Sequence, residues 1–341
     1  MASTAVRRIE GHTDGTLPFD ELIAAQEPVV LEGAAAHWPL VAQGRQSPRA
    51  AADYLAEFAT EAPVTVFTGP AEFGGRFHYD AAGTGLNFSS NRAELRSVLD
   101  QMLADGEDPA APVRYVGSTD LDRFLPGLRA ANDLRLDHED FSHRAPLASI
   151  WIGNRTTVPA HFDISNNLAC CMVGHRRFTL FPPEQVGNLY PGPLEPTPAG
   201  QVVSMVDFRD PDLARYERFP EALAASQVAE LEPGDVLFYP ALWWHQVEAL
   251  DPFNVMINYW WNPVPAFVDT PETTLLHALL SLRDRPDGEK RGWAALFDYY
   301  VFGPADRAGA HLPAAARGAL APLDEARARR VRAQILNRMN R

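Results

Sequence analysis

Val158-Pro159-Ala160-His161-Phe162-Asp163 is the stretch on which the reading of this 341-residue chain turns. Side chains two residues apart on a strand point to the same face, so His161 and Asp163 present an imidazole and a carboxylate together. A second stretch, Tyr239-Pro240-Ala241-Leu242-Trp243-Trp244-His245, supplies another imidazole at the head of a strand. Two imidazoles and one carboxylate can occupy one face of an octahedral Fe(II) ion and leave the opposite positions open for a co-substrate and O2. His161 and His245 each sit among apolar residues, where an imidazole without a ligand is costly to bury. Manganese, nickel or zinc can take the same donors, and a catalytic zinc hydrolase also uses two histidines and a carboxylate. The spacing alone leaves both classes open. The plainer alternative is a pair of hydrogen-bonded core histidines. The other eight histidines, at 12, 37, 78, 138, 143, 175, 277 and 311, are expected to be structural. His175 is the exception, as a possible support behind the ligands.

Outward from these two stretches, residues 146–262 read as a series of short strands. These are Ala148–Ile152, Leu168–Val173, Arg177–Phe181, Val202–Val206, Ala229–Leu231, Val236–Tyr239 and Phe253–Trp261. Pro182-Pro183 ends one run, because proline donates no ladder hydrogen bond. Pro233-Gly234-Asp235 makes a tight turn between two others. Many short strands with turn signals between them indicate a sandwich or barrel rather than a parallel α/β sheet. Upstream, Pro28–Leu31, Pro63–Phe67 and Pro112–Val116 read as strands. Ser90 to Ala104 reads as a helix capped by Ser90 or Asn91. After Pro263 the pattern turns helical, over 273–282, 292–301 and 323–339. The last helix carries Val331, Ile335, Leu336 and Met339 on one face. Three regions are expected: N-terminal α/β elements (1–145) packed on the barrel, a catalytic core (146–263), and a C-terminal helical region (264–341).

With 46% hydrophobic and 22% charged residues the chain is a soluble globular type, long enough to bury a real core. A net charge of −14 repels phosphate backbones and argues against nucleic acid as a partner. No segment approaches the roughly 20 apolar residues needed to span a bilayer. Met1 to Gly15 lacks the apolar stretch of a secretory signal. The two cysteines, Cys170 and Cys171, are adjacent and read as small apolar strand residues, which suits a reducing cytoplasm.

Taken together, these motifs resemble the cupin-like branch of the JmjC oxygenases, and within it the chain is similar to the asparaginyl hydroxylase of hypoxia-inducible factor. The resemblance rests on Val158–Asp163, on Gly174 with Arg177–Pro183, on Tyr239–His245, and on Asn258-Tyr259-Trp260-Trp261. Glu27–Leu31 with Trp38-Pro39 resembles the family's opening, so coverage runs over about 20–265. The resemblance implies a mainly β fold, a double-stranded β-helix or jelly roll with flanking helices. It implies Fe(II) and the co-substrate 2-oxoglutarate, with hydroxylation of a protein side chain or small molecule. It also implies a homodimer through the C-terminal helices, to which the apolar stripe of the last helix adds.

The family places a lysine against the far carboxylate of 2-oxoglutarate. The matching position here is Arg176, whose planar fork can also grip a carboxylate. Tyr115, Asn167 and Asn258 match other residues of the co-substrate site, and Val158 replaces an expected threonine. Trp243, Trp244 and Trp260 are candidate pocket walls or plain core aromatics. Two alternatives stand beside the oxygenase: a metal-dependent cupin hydrolase or isomerase that ignores 2-oxoglutarate, and a non-catalytic binding protein of the same fold.

Overall fold

The computed structural model of the chain describes residues 3–106, 108–142 and 144–340; His143 lies outside them. Eight antiparallel strands form the centre: β1 Leu147–Gly153, β2 Thr157–Phe162, β3 Asn166–Val173, β4 Arg176–Phe181, β5 Gln227–Leu231, β6 Val236–Tyr239, β7 Trp244–Ala249 and β8 Asn254–Trp261. They fall into two facing sheets, ordered β5-β4-β7-β2 and β6-β3-β8-β1. Successive strands alternate between the sheets except at β4 and β5, which are neighbours in the smaller one, and the arrangement is a jelly roll. The larger sheet is extended on one edge by Val29–Leu31 and Arg7–Ile9. On the other edge it gains Val113–Asp120, Val64–Gly69 and Ser89–Ala93.

Strand parity sorts the side chains. On β3, Leu168, Cys170 and Met172 pack outward into a large core shared with Leu22, Trp38, Leu55 and Leu99. Ala169 and Cys171 point inward, with Phe178, Leu180, Leu237, Tyr239 and Met256. Adjacent Cys170 and Cys171 are therefore both buried and unbonded, on opposite faces. The outer face of the smaller sheet, with Phe181 and Trp244, is covered by Leu189, Val202, Val206, Tyr216 and Phe219.

Several expectations need correction. Residues 229–239 are two strands with a turn, but the strands do not pair with each other. β5 pairs with β4, β6 pairs with β3 and Val29–Leu31, and the turn carries the chain from one sheet to the other. Asp235 holds that turn, accepting from Glu232 N and Gly33 N and pairing with Arg8. Residues 202–206 form no strand; the one bridge there is Pro191 to Ser204. Their apolar side chains serve as a cover for the smaller sheet rather than as ladder members. The helix expected from Ser90 begins at Leu95, because Ser89–Ala93 is captured as a strand by Val64–Gly69. Tertiary pairing overrides local propensity there.

The chain divides into two compact units, one ending at Asn262 and the other starting at Pro263. The second contains helices Pro271–Ser281, Asp287–Phe297 and Glu325–Met339. Leu275, Leu276, Leu280, Phe302, Ile335 and Leu336 are exposed, the extreme being Leu280 at 80%.

Gly174, between β3 and β4, has φ +71°, and a Cβ there would come within 2.4 Å of Asn254 Oδ1 and 2.8 Å of Phe253 O. Gly174→Ala is expected to lower stability by about 1–3 kcal/mol, read as a drop in the urea midpoint without a change of slope.

Candidate metal centre and its cavity

His161 on β2 and His245 on β7 are direct cross-strand partners. Asp163 follows the end of β2 by one residue, and the potential ligand atoms of the three side chains lie within 4.8 Å of one another. The loop that carries His245 is tied to the segment that carries Asp163. Leu242 N donates to Asp163 O at 2.8 Å, and Ala241 N donates to Asn166 Oδ1 at 3.0 Å. Leu242 takes a left-handed conformation (φ +68°) to make this turn.

Both imidazoles are oriented in the same way. His161 Nδ1 lies 2.9 Å from Pro159 O, and His245 Nδ1 lies 3.0 Å from Trp243 O. A carbonyl only accepts, so each Nδ1 carries the proton and each Nε2 keeps its lone pair for a metal. Burial, and then the neighbouring His161, holds His245 down to about 4, so it is neutral at physiological pH. With His245 neutral, the 3.8 Å separation of His245 Nε2 and Asp163 Oδ2 is not an ion pair, and it leaves both atoms free to face a single ion.

Asp163 is steadied by two donors on Oδ2: Trp260 Nε1 at 3.1 Å and Asn167 Nδ2 at 3.3 Å. The chain of bonds continues inward. Asn167 also donates to Tyr239 Oη at 2.6 Å, Asn258 Nδ2 donates to Asn167 Oδ1 at 3.4 Å, and Trp151 Nε1 donates to Asn258 Oδ1 at 2.6 Å. Trp260 and Tyr239 in these roles were not singled out by the sequence. For Trp260 the signal was present, since it shares a strand face with Asn258.

The three side chains open onto a cavity of about 220 Å³. Tyr115, Asn167, Asn258, Val158 and Trp260 line it; Trp243 and Trp244 are core residues instead. Phe67, Phe77 and Phe88, from the N-terminal elements, form much of the remaining wall. Nothing in those distant residues announced the role. His175 takes no part: it is exposed, with Nδ1 2.7 Å from Asp251 at the turn between β3 and β4.

Arg176 is not on the cavity wall, although it points into the barrel. It is 1% exposed, and its Nε and Nη2 have no hydrogen-bond partner. Among the described residues no acidic side chain pairs with it; its ionisable neighbours are the phenol of Tyr115 and the thiol of Cys171. Burial pushes the guanidinium pKa down and that of Tyr115 up, so the phenol stays protonated. Arg177, on the other strand face, pairs with Glu230 outside.

The profile of the cupin-like domain matches residues 16–267. The chain belongs to the cupin-like domain family. HSPB1-associated protein 1 of Rattus norvegicus is 40% identical over 115 residues, covering 33% of this chain and 23% of that protein. Lysine-specific demethylase 8 of Xenopus tropicalis is 28% identical over 251 residues, 71% of this chain and 50% of the relative. Lysine-specific demethylase JMJ31 of Arabidopsis thaliana is 36% identical over 102 residues, 30% and 18% respectively. The chain thus spans half or less of these relatives. Among the described residues no helix is long and apolar enough to cross a membrane.

The hydrogen bond from Trp260 to Asp163 makes a specific demand on metal affinity. Trp260→Phe keeps the ring and removes the donor; calorimetric titration with manganese(II) should show affinity weakened by about 10-fold. Unchanged affinity would remove the indole from the account of the site.

Proposed function

We propose that the protein is an Fe(II)- and 2-oxoglutarate-dependent oxygenase that hydroxylates a protein side chain or a small molecule. One observation carries this reading: a guanidinium whose Nε and Nη2 have no hydrogen-bond partner among the described residues, buried in the same barrel as an open three-ligand site. A buried cation without a counter-charge is costly. An anionic co-substrate that reaches from the metal toward Arg176 would supply that charge. His161, Asp163 and His245 would hold the metal. Tyr115, as a protonated donor, and Arg176 would anchor the far carboxylate of 2-oxoglutarate. Asn167 and Asn258 would orient its near end. Bound together, Fe(II), 2-oxoglutarate and O2 supply the oxidising chemistry: one oxygen atom enters a substrate C–H bond, the other enters succinate, and CO2 leaves. The aromatic wall keeps the reacting centre poor in water, and Trp260 and Asn167 hold Asp163 in place.

The demethylases among the relatives lend the chemistry to this proposal, and their named substrate is left with them. The nearer likeness to the asparaginyl hydroxylase of hypoxia-inducible factor rests on the stretches Val158–Asp163, Gly174 with Arg177–Pro183, Tyr239–His245 and Asn258–Trp261, and Arg176 departs from it by standing where that family has a lysine. The reduced, buried cysteines suit a reducing cytoplasm. A second reading, a metal-dependent cupin hydrolase or isomerase, draws on the position of Arg176 off the cavity wall.

Succinate release separates the two readings. With Fe(II), ascorbate and 2-oxoglutarate, the wild type should form succinate. Arg176→Ala should raise the KM for 2-oxoglutarate by about 10–100-fold, the order expected when a charged hydrogen-bonding partner is lost, and Arg176→Lys should restore part of it. Turnover indifferent to both 2-oxoglutarate and Arg176 would favour the hydrolase.

We further infer that the C-terminal unit pairs with a second copy of itself. Its helices leave Leu276, Leu280, Phe302 and Leu336 in solvent, an apolar surface that monomers rarely retain. Light scattering on the full chain should give a dimer, and Leu276→Glu with Leu280→Glu should give a monomer. A monomeric wild type contradicts the inference.

A further inference from the structure

We propose, building on the oxygenase reading, that the group presented to the metal centre is uncharged and apolar, an aliphatic or aromatic C–H carrier rather than an ammonium or guanidinium. Phe67, Phe77, Phe88, Trp151, Pro198 and Ala199 line the cavity, and beyond the metal ligands, the phenol of Tyr115 and the hydrogen-bonded chain of Asn167, Tyr239, Asn258 and the two indoles, the hydroxyl of Ser118 is the one polar side-chain group among the described lining residues. Among the described lining residues Asp163 is the sole carboxylate, and it belongs to the metal centre.

The rings are fixed by one another. Phe67 and Phe77 each contact Phe88, with centroids 5.6 and 5.1 Å apart and interplanar angles of 85° and 69°. Phe77 contacts Tyr115 at 5.6 Å, Tyr115 contacts Trp151 at 5.9 Å, and Trp151 meets Trp260 edge-on at 5.6 Å. Six rings thus run without a break from the mouth to the residue that steadies Asp163. Three of these five contacts are edge-to-face and spend ring faces on neighbouring edges; the two contacts of Tyr115 are tilted, at 37° and 31°, and the outer rings, Phe67, Phe77 and Phe88, attract cations less well than tryptophan would. A Cβ at Gly117 would lie 3.2 Å from the Trp151 ring, a tight contact to which the ring would have to yield.

Charge balance points the same way. The metal's two positive charges and that of Arg176 cancel the charge of Asp163 and the two carboxylates of 2-oxoglutarate. The loaded centre is therefore neutral and holds no surplus negative charge to draw in a cation. A buried ammonium would leave water without gaining a carboxylate partner. The chain's overall acidity does not help, because it is not located at this cavity. An apolar group gains from burial against the rings. Its hydroxylation converts C–H to C–OH, with 2-oxoglutarate and O2 as the co-reactants already named.

The test uses the full-length protein with manganese(II) and 2-oxoglutarate. Capped hexapeptides with a central leucine, phenylalanine, lysine, trimethyl-lysine or arginine are titrated by calorimetry, beside N-acetyl-leucinamide and N-acetyl-phenylalaninamide. The leucyl or phenylalanyl probe is expected to bind at least about tenfold more tightly than any cationic one. Tighter binding of the capped amides than of the peptides assigns the group to a small molecule; the reverse assigns it to a polypeptide. Phe88→Asp, which puts a carboxylate in the mouth, should shift the preference toward the lysyl peptide. Equal or tighter binding of lysyl, trimethyl-lysyl or arginyl peptides, or a Phe88→Asp protein with unaltered preference, overturns the proposal. Succinate release with Fe(II) is measured separately. Apolar preference with no succinate would refute the oxygenase reading and leave the cavity's selectivity standing.

Discussion

The pairing of His161 with His245 across β2 and β7 is the constraint on which the rest of the site depends. A ladder register defined by backbone hydrogen bonds places two imidazoles side by side, with ring centroids 4.3 Å apart. A slip of one residue would turn one of them to the opposite face. Register is continuous on one side of the pair and shifts on the other, between His245 and Val247. Trp244 and Phe162, the adjacent partners, pack together on the outer face, and Val247 packs into the interior. The carbonyls of Pro159 and Trp243 then set the rotation and tautomer of each ring. Precision at the metal centre is thus inherited from the sheet rather than from flexible side chains.

Around that pair the barrel interior divides by depth. Near the histidines lies the polar chain of Asp163, Asn167, Tyr239, Asn258 and the two indoles. Farther in stands Arg176, opposite Ala249 and four residues along β4 from Leu180, the partner of His245. At 3.3 Å per residue that is roughly 13 Å along the strand, a span its side chain partly recovers. A fully buried guanidinium without hydrogen-bond partners at Nε and Nη2 is a costly feature for a fold to retain. The cost is intelligible if a dicarboxylate completes the interior.

Much of this was legible in the sequence because strand parity is local. His161 and Asp163 share a face by spacing alone, and the same rule puts Arg176 and Arg177 on opposite faces of β4. The strands of the roll were placed within a few residues for a related reason, since proline and glycine punctuate them. What was illegible was non-local. The turn at Gly234 looks like a hairpin in sequence and is a crossing between sheets. Ser89–Ala93 is a strand only because Val64–Gly69 pairs with it. The aromatic wall from Phe67 to Phe88 belongs to the site because the larger sheet extends past β1, which no spacing within those residues encodes. His175, expected as a support behind the ligands, occupies the turn outside the barrel against Asp251.

The most direct test of the central claim is anaerobic titration of the full-length protein with Fe(II). A single ion should bind per chain, and His161→Ala, Asp163→Ala and His245→Ala should each abolish that binding while the protein stays folded by circular dichroism. Fe(II) binding that survives all three substitutions, or a folded wild type that takes up no metal, would contradict the account.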